Sequence, residues 1–324
     1  MKTLSVAFGD YPHVDPLLAN DEQIPGYTVE PVTVRPIISA YRRMVRDLEF
    51  DVCEMAPVTY VMAREAGIPL VAIPVFLSRR FHHADIHCGP TSGVHAPKDL
   101  EGREVGVRAF SVSTGVWGRG VLADDYGVDL SSITWVVDDD DHIAGKEPAN
   151  QRRVTDGRSL QSLLLAGEIA AAFGGNAGTG RAGAPREGWA TAQGSTAAES
   201  DRTYPLFPDA SATARDWYLR TGICPLHSVV VVRTELVDAD QDLPSALYRA
   251  LLQSKRRYLA GDPAWSRQPK MADLAQQLGE DPVPFGIVPN GNSVDALVRY
   301  SAEQGLIAPV ASDALFAPGD YPIG

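Results

Sequence analysis

The sequence predicts an α/β protein of two lobes, and three observations carry that prediction. Short apolar runs alternate with stretches of helical period from about residue 3 to 66, and a second series of the same kind runs from about 104 to 173. One further apolar run, Ser228–Arg233, follows the second series and leads into helical pattern alone. A chain that leaves one lobe, builds another and returns gives this order. With 324 residues there is room for two domains of roughly 150 residues each. The expected lobes are residues 1–86 with 228–324, and residues 87–227.

In chain order, Thr3–Phe8 reads as a strand that ends in Gly9-Asp10-Tyr11-Pro12, where Gly and Pro break the pattern. Residues 38–47 have helical spacing, Phe50–Cys53 reads as a buried strand, and Pro57–Ala66 as a helix behind the turn Glu54-Met55-Ala56. Leu70–Phe76 is a further apolar run. It leads into Ser78-Arg79-Arg80-Phe81-His82-His83, and Ala84–Cys88 continues to a break at Gly89-Pro90, where the chain is expected to cross between lobes. In the second series, the polar turn 98–102 precedes a strand at 104–108. Ser111, Ser113 and Thr114 then precede a helix from about 115 to 126. Strand, polar turn and helix start make an anion-binding arrangement, because unpaired N–H groups and the helix dipole point the same way. Ile133–Val137 reads as a strand, Asp138–Asp141 as a solvated acidic loop, Ser159–Ala166 as a helix and Ala170–Phe173 as a strand ending in Gly174-Gly175-Asn176. Residues 175–203 are rich in Gly, Ala, Ser and Thr without periodicity and read as a long loop. After the returning strand, helices are expected at 243–259, 271–278 and 293–304.

Composition removes several function classes. A hydrophobic fraction of 44% with 22% charged residues is globular, and no apolar run reaches the roughly 18 residues of a membrane span. A net charge of -12 argues against a nucleic-acid partner, which needs a basic face. Cys53, Cys88 and Cys224 are an odd number at wide spacing, so neither a disulfide framework nor a zinc site is expected and the compartment reads as reducing. The N-terminal MKTLSVAFGDYPH enters a strand without the apolar stretch of a secretion signal, so a cytoplasmic location is expected. Dinucleotide, Walker, Gly-x-Ser-x-Gly and His-Glu-x-x-His patterns do not occur.

Several stretches together resemble one family. They are Gly9-Asp10-Tyr11; Phe50 to Met55; Ala72 to Phe76 with Ser78-Arg79, Phe81 and His83; and Lys98 to Gly102. Further along come Thr114, Trp117, Arg119 and Gly120; Thr221-Gly222-Ile223 with Pro225 and His227; Gly279 to Pro282 with Gly286-Ile287; and Glu303 to Leu306. In this order and spacing they resemble the 4,5-dihydroxyphthalate decarboxylases, relatives of periplasmic solute-binding proteins and of NMT1/THI5-like proteins. The resemblance implies a type II periplasmic-binding-protein-like fold with a ligand cleft between the lobes. It also implies an oligomer of identical subunits and decarboxylation of a hydroxylated aromatic acid without an organic cofactor.

Decarboxylating an electron-rich ring requires an acid for the ring carbon, a base for a ring hydroxyl and a clamp for carboxylate. Arg79 is the candidate clamp, since a guanidinium holds a planar carboxylate through two parallel hydrogen bonds; Ser78 beside it is a candidate contact. His83 and His227 are candidate proton donors because imidazole titrates near neutral pH, with His82 and His87 as neighbours. Glu54 and Asp10 each follow a strand of the first lobe, where loops line the crevice of an open sheet, and either could accept a phenol proton; helix capping explains both equally well. Tyr11 is a candidate for stacking on the ring or donating its hydroxyl. Ser111, Ser113 and Thr114 could bind carboxylate at the helix start, Arg119 could add a second cation, and Asn176 could approach a ligand beside two glycines. No metal ligand set is read from the three histidines at 82, 83 and 87. The competing reading is a non-catalytic solute-binding protein for a small aromatic or carboxylate ligand of a transporter. A third is a precursor-forming enzyme of the THI5-like kind.

Overall fold

The computed structural model describes residues 1–180 and 202–323. The chain divides into two compact units: residues 1–80, 221–299 and 307–324 form the first, and residues 81–220 with 300–306 form the second.

The first unit is built on five strands: β1 (Lys2–Ala7), β2 (Tyr27–Pro31), β3 (Val52–Met55), β4 (Leu70–Ile73) and β11 (Val229–Arg233), in the order β2-β1-β3-β11-β4. β1 runs parallel to β2 and β3, whereas β11 is antiparallel to both β3 and β4. Every residue of β3 and β4 is buried, as expected of strands covered on both faces; β4 accordingly reads in the sequence as an unbroken apolar run, whereas β3 carries one charged residue, Glu54. The helices α2 (Ile38–Asp47), α3 (Pro57–Glu65) and α8 (Leu243–Gly261) belong to this unit. Residues of β1, β4, β11 and α8 share a core with Phe285, including Leu4, Val6, Ile73, Val230, Leu247 and Leu251.

The second unit has six strands: β5 (Ile86–Cys88), β6 (Glu104–Gly106), β7 (Thr134–Val137), β8 (Gln151–Arg153), β9 (Ala171–Phe173) and β10 (Tyr204–Pro205). Their order is β10-β5-β9-β6-β7-β8. β9, β6, β7 and β8 are parallel, and β5 is antiparallel to β9. The two sheets share one device. In each, the carboxyl ends of three parallel strands lie at one edge, together with the start of a single antiparallel strand. Those strands are β1, β3 and β4 with β11 in the first unit, and β6, β7 and β9 with β5 in the second. Loops at such an edge are where open α/β sheets bind ligands.

Several expected elements change in detail. Helix α4 spans Ser113–Tyr126 and so begins two residues before the expected start, taking in Ser113 and Thr114. Ala84 and Asp85 belong to a single 3-10 turn with His83, and the strand begins only at Ile86. β2, β8, β10 and helix α6 (Ala210–Thr221) form where no element was expected. β2 ends in Glu-Pro and pairs only with β1, and an edge strand of that composition gives no apolar run. The acidic stretch expected to be solvated is instead partly interior: Asp138 and Asp139 are buried, and their backbone N–H groups bond to the carbonyl of Arg108. Of the long loop expected at 175–203, residues 181–201 lie outside the described residues, and 175–177 make a 3-10 turn.

Candidate functional site

In the first unit the edge formed by the ends of β1, β3 and β4 gathers polar side chains around Glu54. This carboxylate is the third residue of β3 and is 1% exposed. Burying a carboxylate without partners costs several kcal/mol, so its neighbours matter. Oε2 accepts the backbone N–H of Gly9 at 2.8 Å, and Oε1 accepts the hydroxyls of Tyr11 at 2.8 Å and Tyr41 at 2.9 Å. Gly9 is where the backbone has to come close, because a methyl built there would lie 2.9 Å from the Tyr11 ring and 3.0 Å from Glu54 Oε2.

The hydroxyl of Ser78 lies 3.4 Å from that of Tyr11 and 3.3 Å from that of Ser228, whose oxygen also accepts the Ser78 N–H at 2.9 Å. His227 joins the same edge through its backbone, its N–H donating to the Ser78 carbonyl at 3.0 Å. Glu54, Tyr11, Ser78 and the His227 backbone therefore come together. Tyr41 and Ser228 complete the group without having been singled out in the sequence. Tyr41 stands on the inward face of α2, and Ser228 immediately precedes β11.

Burial raises the Glu54 carboxyl above its ordinary value, while the hydrogen bonds from Gly9, Tyr11 and Tyr41 pull the other way. Burial, and then the Glu54 charge, hold the hydroxyls of Tyr11 and Tyr41 well above the usual phenol range. Both phenols therefore carry their protons at neutral pH and act as donors to the carboxylate.

Two other residues of the first unit serve differently from the sequence expectation. Asp10 is on the surface, paired with Arg35 at 3.0 Å, with side-chain exposures of 80% and 72%. Arg79 is buried, and its guanidinium is spent on the chain itself. Nε donates to the carbonyl of Pro282 at 2.7 Å, and the terminal nitrogens reach Asn290 Oδ1 and the Asp281 carbonyl, each at 3.3 Å. A fork used in this way ties the loop 281–290 to the end of the β4 segment.

In the second unit, Ser111 commits both its N–H, at 2.7 Å, and its hydroxyl, at 2.5 Å, to Oδ1 of Asp141. Burial raises the Asp141 carboxyl, against the opposing hydrogen bonds from Ser111 and the charge of Arg119. Arg119 is fully buried. Its Nε donates to Gln304 Oε1 at 2.6 Å, and its guanidinium lies 3.9 Å from the centre of the Phe110 ring and 5.1 Å from that of Trp135. Burial lowers this guanidinium to about 9, so it stays charged near neutrality against aromatic faces. Ser113 and Thr114 are buried in the first turn of α4, and Asn176 is exposed.

His83 is buried among Trp217, Phe207 and Phe81, at ring-centre distances of 5.4, 5.6 and 6.3 Å. Burial first, and the neighbouring His82 second, lower it to about 4. At neutral pH it is an uncharged imidazole and has no acidic proton to supply. His82 pairs with Asp85 at 2.7 Å. Among the described residues no three His, Cys, Asp or Glu side chains converge as metal ligands, and no helix is long and apolar enough to cross a membrane.

No family model matches the chain. It is similar to 4,5-dihydroxyphthalate decarboxylase of Comamonas testosteroni, with 29% identity across 94% of this chain and 92% of that protein. It is likewise 29% identical to 4,5-dihydroxyphthalate decarboxylase of Pseudomonas putida across 66% of this chain and 81% of that one. Among solved structures it resembles the alkanesulfonate-binding protein SsuA of Xanthomonas axonopodis pv. citri bound to MOPS. That match has a TM-score of 0.56 at 14% identity and covers 99% of both chains. The fold is therefore that of the periplasmic binding proteins, as the sequence resemblance implied.

Proposed function

We propose that the chain is a carboxy-lyase that removes CO2 from a hydroxylated aromatic mono- or dicarboxylic acid similar to 4,5-dihydroxyphthalate, without an organic cofactor. One observation carries the reading: the 29% identity to a protein named for that reaction runs through 94% of the chain. The group around Glu54 supports it. The reaction needs a base that can take a phenolic proton near neutral pH, and a carboxyl raised by burial is better suited than an ordinary one.

In this reading the ring lies at the strand-end edge of the first unit. Glu54 accepts the proton of a ring hydroxyl, and the phenolate drives electrons toward the carbon that bears the carboxylate. His227 delivers a proton to that carbon, and the C–C bond then breaks to release CO2. His83, held neutral, fits this donor role less well, and Asp10, paired on the surface, fits the base role less well. Arg79 is assigned to holding the 281–290 loop in place of clamping carboxylate. The unpaired, buried cysteines Cys53, Cys88 and Cys224 agree with a reducing, cytoplasmic location, and the resemblance supports an assembly of identical subunits.

The likeness to an alkanesulfonate-binding protein favours the second reading, a solute-binding protein without catalysis. Release of CO2 from a panel of hydroxylated benzoates and phthalates, measured on metal-stripped protein, separates the two. Turnover of at least one ortho- or para-hydroxylated member is expected. Tight binding by calorimetry with no CO2 from any member would replace the enzyme by the binder. Retention of full turnover in His227→Ala would remove that histidine from the mechanism.

A further inference from the structure

Glu54 has no open face. Its two oxygens already receive three donors, from Gly9, Tyr11 and Tyr41, and the side chain is 1% exposed. A substrate hydroxyl could reach the carboxylate only by displacing one of them, at the cost of leaving a buried donor unpaired. Of the two side chains that hold it, Tyr41 is buried on the inner side and Tyr11 is partly exposed. Tyr11 gives its single proton to Glu54 at 2.8 Å, and the Ser78 hydroxyl at 3.4 Å meets at most one of its two oxygen lone pairs, which leaves the other to accept from a substrate.

We infer that Tyr11 is a catalytic residue that relays a substrate's phenolic proton to Glu54, and that Tyr41 is a positioning residue for the carboxylate; this rests on the decarboxylase reading above. In the relay the substrate O–H donates to the Tyr11 oxygen. The substrate O–H bond breaks as a new O–H forms on Tyr11, and the original Tyr11 proton passes to Glu54 Oε1. The products are a substrate phenolate, an unchanged Tyr11 and a neutral Glu54. The Tyr11 hydroxyl now donates to the phenolate, and the Glu54 acid donates to Tyr11.

The phenolate electron pair moves into the ring, whose carboxylate-bearing carbon takes a proton that comes ultimately from water. The C–C electron pair then returns to the ring as CO2 leaves. Reversal of the relay gives the hydroxyl back its proton. Overall one proton is consumed and one CO2 released, with no oxidant or reductant. Tyr41 keeps Oε1 oriented through its 2.9 Å hydrogen bond during both transfers. The relay restricts the substrate class to acids with a free hydroxyl ortho or para to the carboxylate, and an O-methylated analogue would bind without turnover.

The test compares wild type, Tyr11→Phe, Glu54→Gln, the double variant and Tyr41→Phe by CO2 release, pH profile and calorimetric binding of the O-methylated analogue. Tyr11→Phe deletes one hydroxyl of a side chain that is partly exposed as a whole, and unchanged binding of the analogue certifies its fold. It should lose about 10²- to 10⁴-fold in kcat, together with the acidic limb of the kcat profile. Glu54→Gln should lose a similar factor and the double variant no more, since the two act in one path. Tyr41→Phe should keep the acidic limb. Wild-type kcat and an intact acidic limb in Tyr11→Phe would overturn the relay while leaving the decarboxylase reading standing. Losses that multiply in the double variant would do the same. Failure of the wild type on every hydroxylated acid would overturn that reading and the relay with it.

Discussion

Arg108 and Asp139 form an ion pair of 3.0 Å in the interior of the second unit, with side-chain exposures of 5% and 2%, although 31 residues separate them. Two charges taken out of water together are tolerable, but one left alone is not. Asp139→Ala should therefore destabilise the protein by about 3–5 kcal/mol, far more than a surface acidic residue would. Urea unfolding of Asp139→Ala beside Asp140→Ala checks this, because Asp140 is exposed. Equal, small losses in both would mean that the pair does not hold the 138–141 turn.

That pair also marks where sequence reading stops. Asp138-Asp139-Asp140-Asp141 is locally a solvated acidic loop, and nothing within ten residues says otherwise; the partner that buries it stands at the end of another strand. The same limit applies to the Glu54 group. Its position next to a buried strand was legible from Phe50–Cys53, but the strand runs on through Glu54 to Met55, where a turn was expected. Its partners Tyr11 and Tyr41 lie 43 and 13 residues away, and only the β1–β3 register and the inward face of α2 bring them together. Helix α2, by contrast, was legible to the residue, because a strong apolar stripe is a local property. Arg79 was legible as a cation placed after a buried strand. Its use on the carbonyls of 281 and 282, more than two hundred residues on, was not.

The hydrogen bonds of Arg79 give a prediction that separates two roles. If the guanidinium holds the 281–290 loop, Arg79→Ala leaves the Pro282 and Asp281 carbonyls and Asn290 short of donors, at roughly 1–3 kcal/mol for each buried group left unsatisfied. Stability should fall by several kcal/mol, while KM of the protein that remains folded changes little. Denaturant unfolding and steady-state kinetics on the same preparation check this. A large rise in KM at unchanged stability would return Arg79 to the role of carboxylate clamp.

His13 should make the protein acid-sensitive. Its ring is fully buried between Tyr11, Tyr258 and Trp265, with Nδ1 3.1 Å from Gln268 Nε2, and among the described residues Nε2 has no hydrogen-bond partner. Burial, then the charge of Lys255, lowers it from 6.5 to about 3. As the pH falls below 6.5 the unfolded chain binds a proton that the native chain refuses until about 3, so stability is lost across that window. The slope from this one group approaches about 1.4 kcal/mol per pH unit. Urea unfolding between about pH 7 and pH 4 should be less steep for His13→Gln than for wild type. Parallel curves would mean that the imidazole is not kept neutral.

Gly120 tests how closely α4 is packed. A methyl built on it would lie 2.2 Å from the ring of Tyr300, which is fully buried and donates its hydroxyl to Asp124 at 2.8 Å. The Tyr300 ring is also fixed edge-on against Trp117 at 5.7 Å, so it has little room to retreat. Alanine in a helix interior ordinarily gains about 1 kcal/mol over glycine. Here overpacking of about 1–3 kcal/mol opposes that gain, so Gly120→Ala should be net destabilising. Shortening the ring in Tyr300→Leu should cost stability alone yet recover part of the Gly120→Ala loss when the two are combined, giving a favourable coupling energy in thermal unfolding. Simple additivity would show that the helix shifts to admit the methyl and that the contact with Tyr300 does not fix its position.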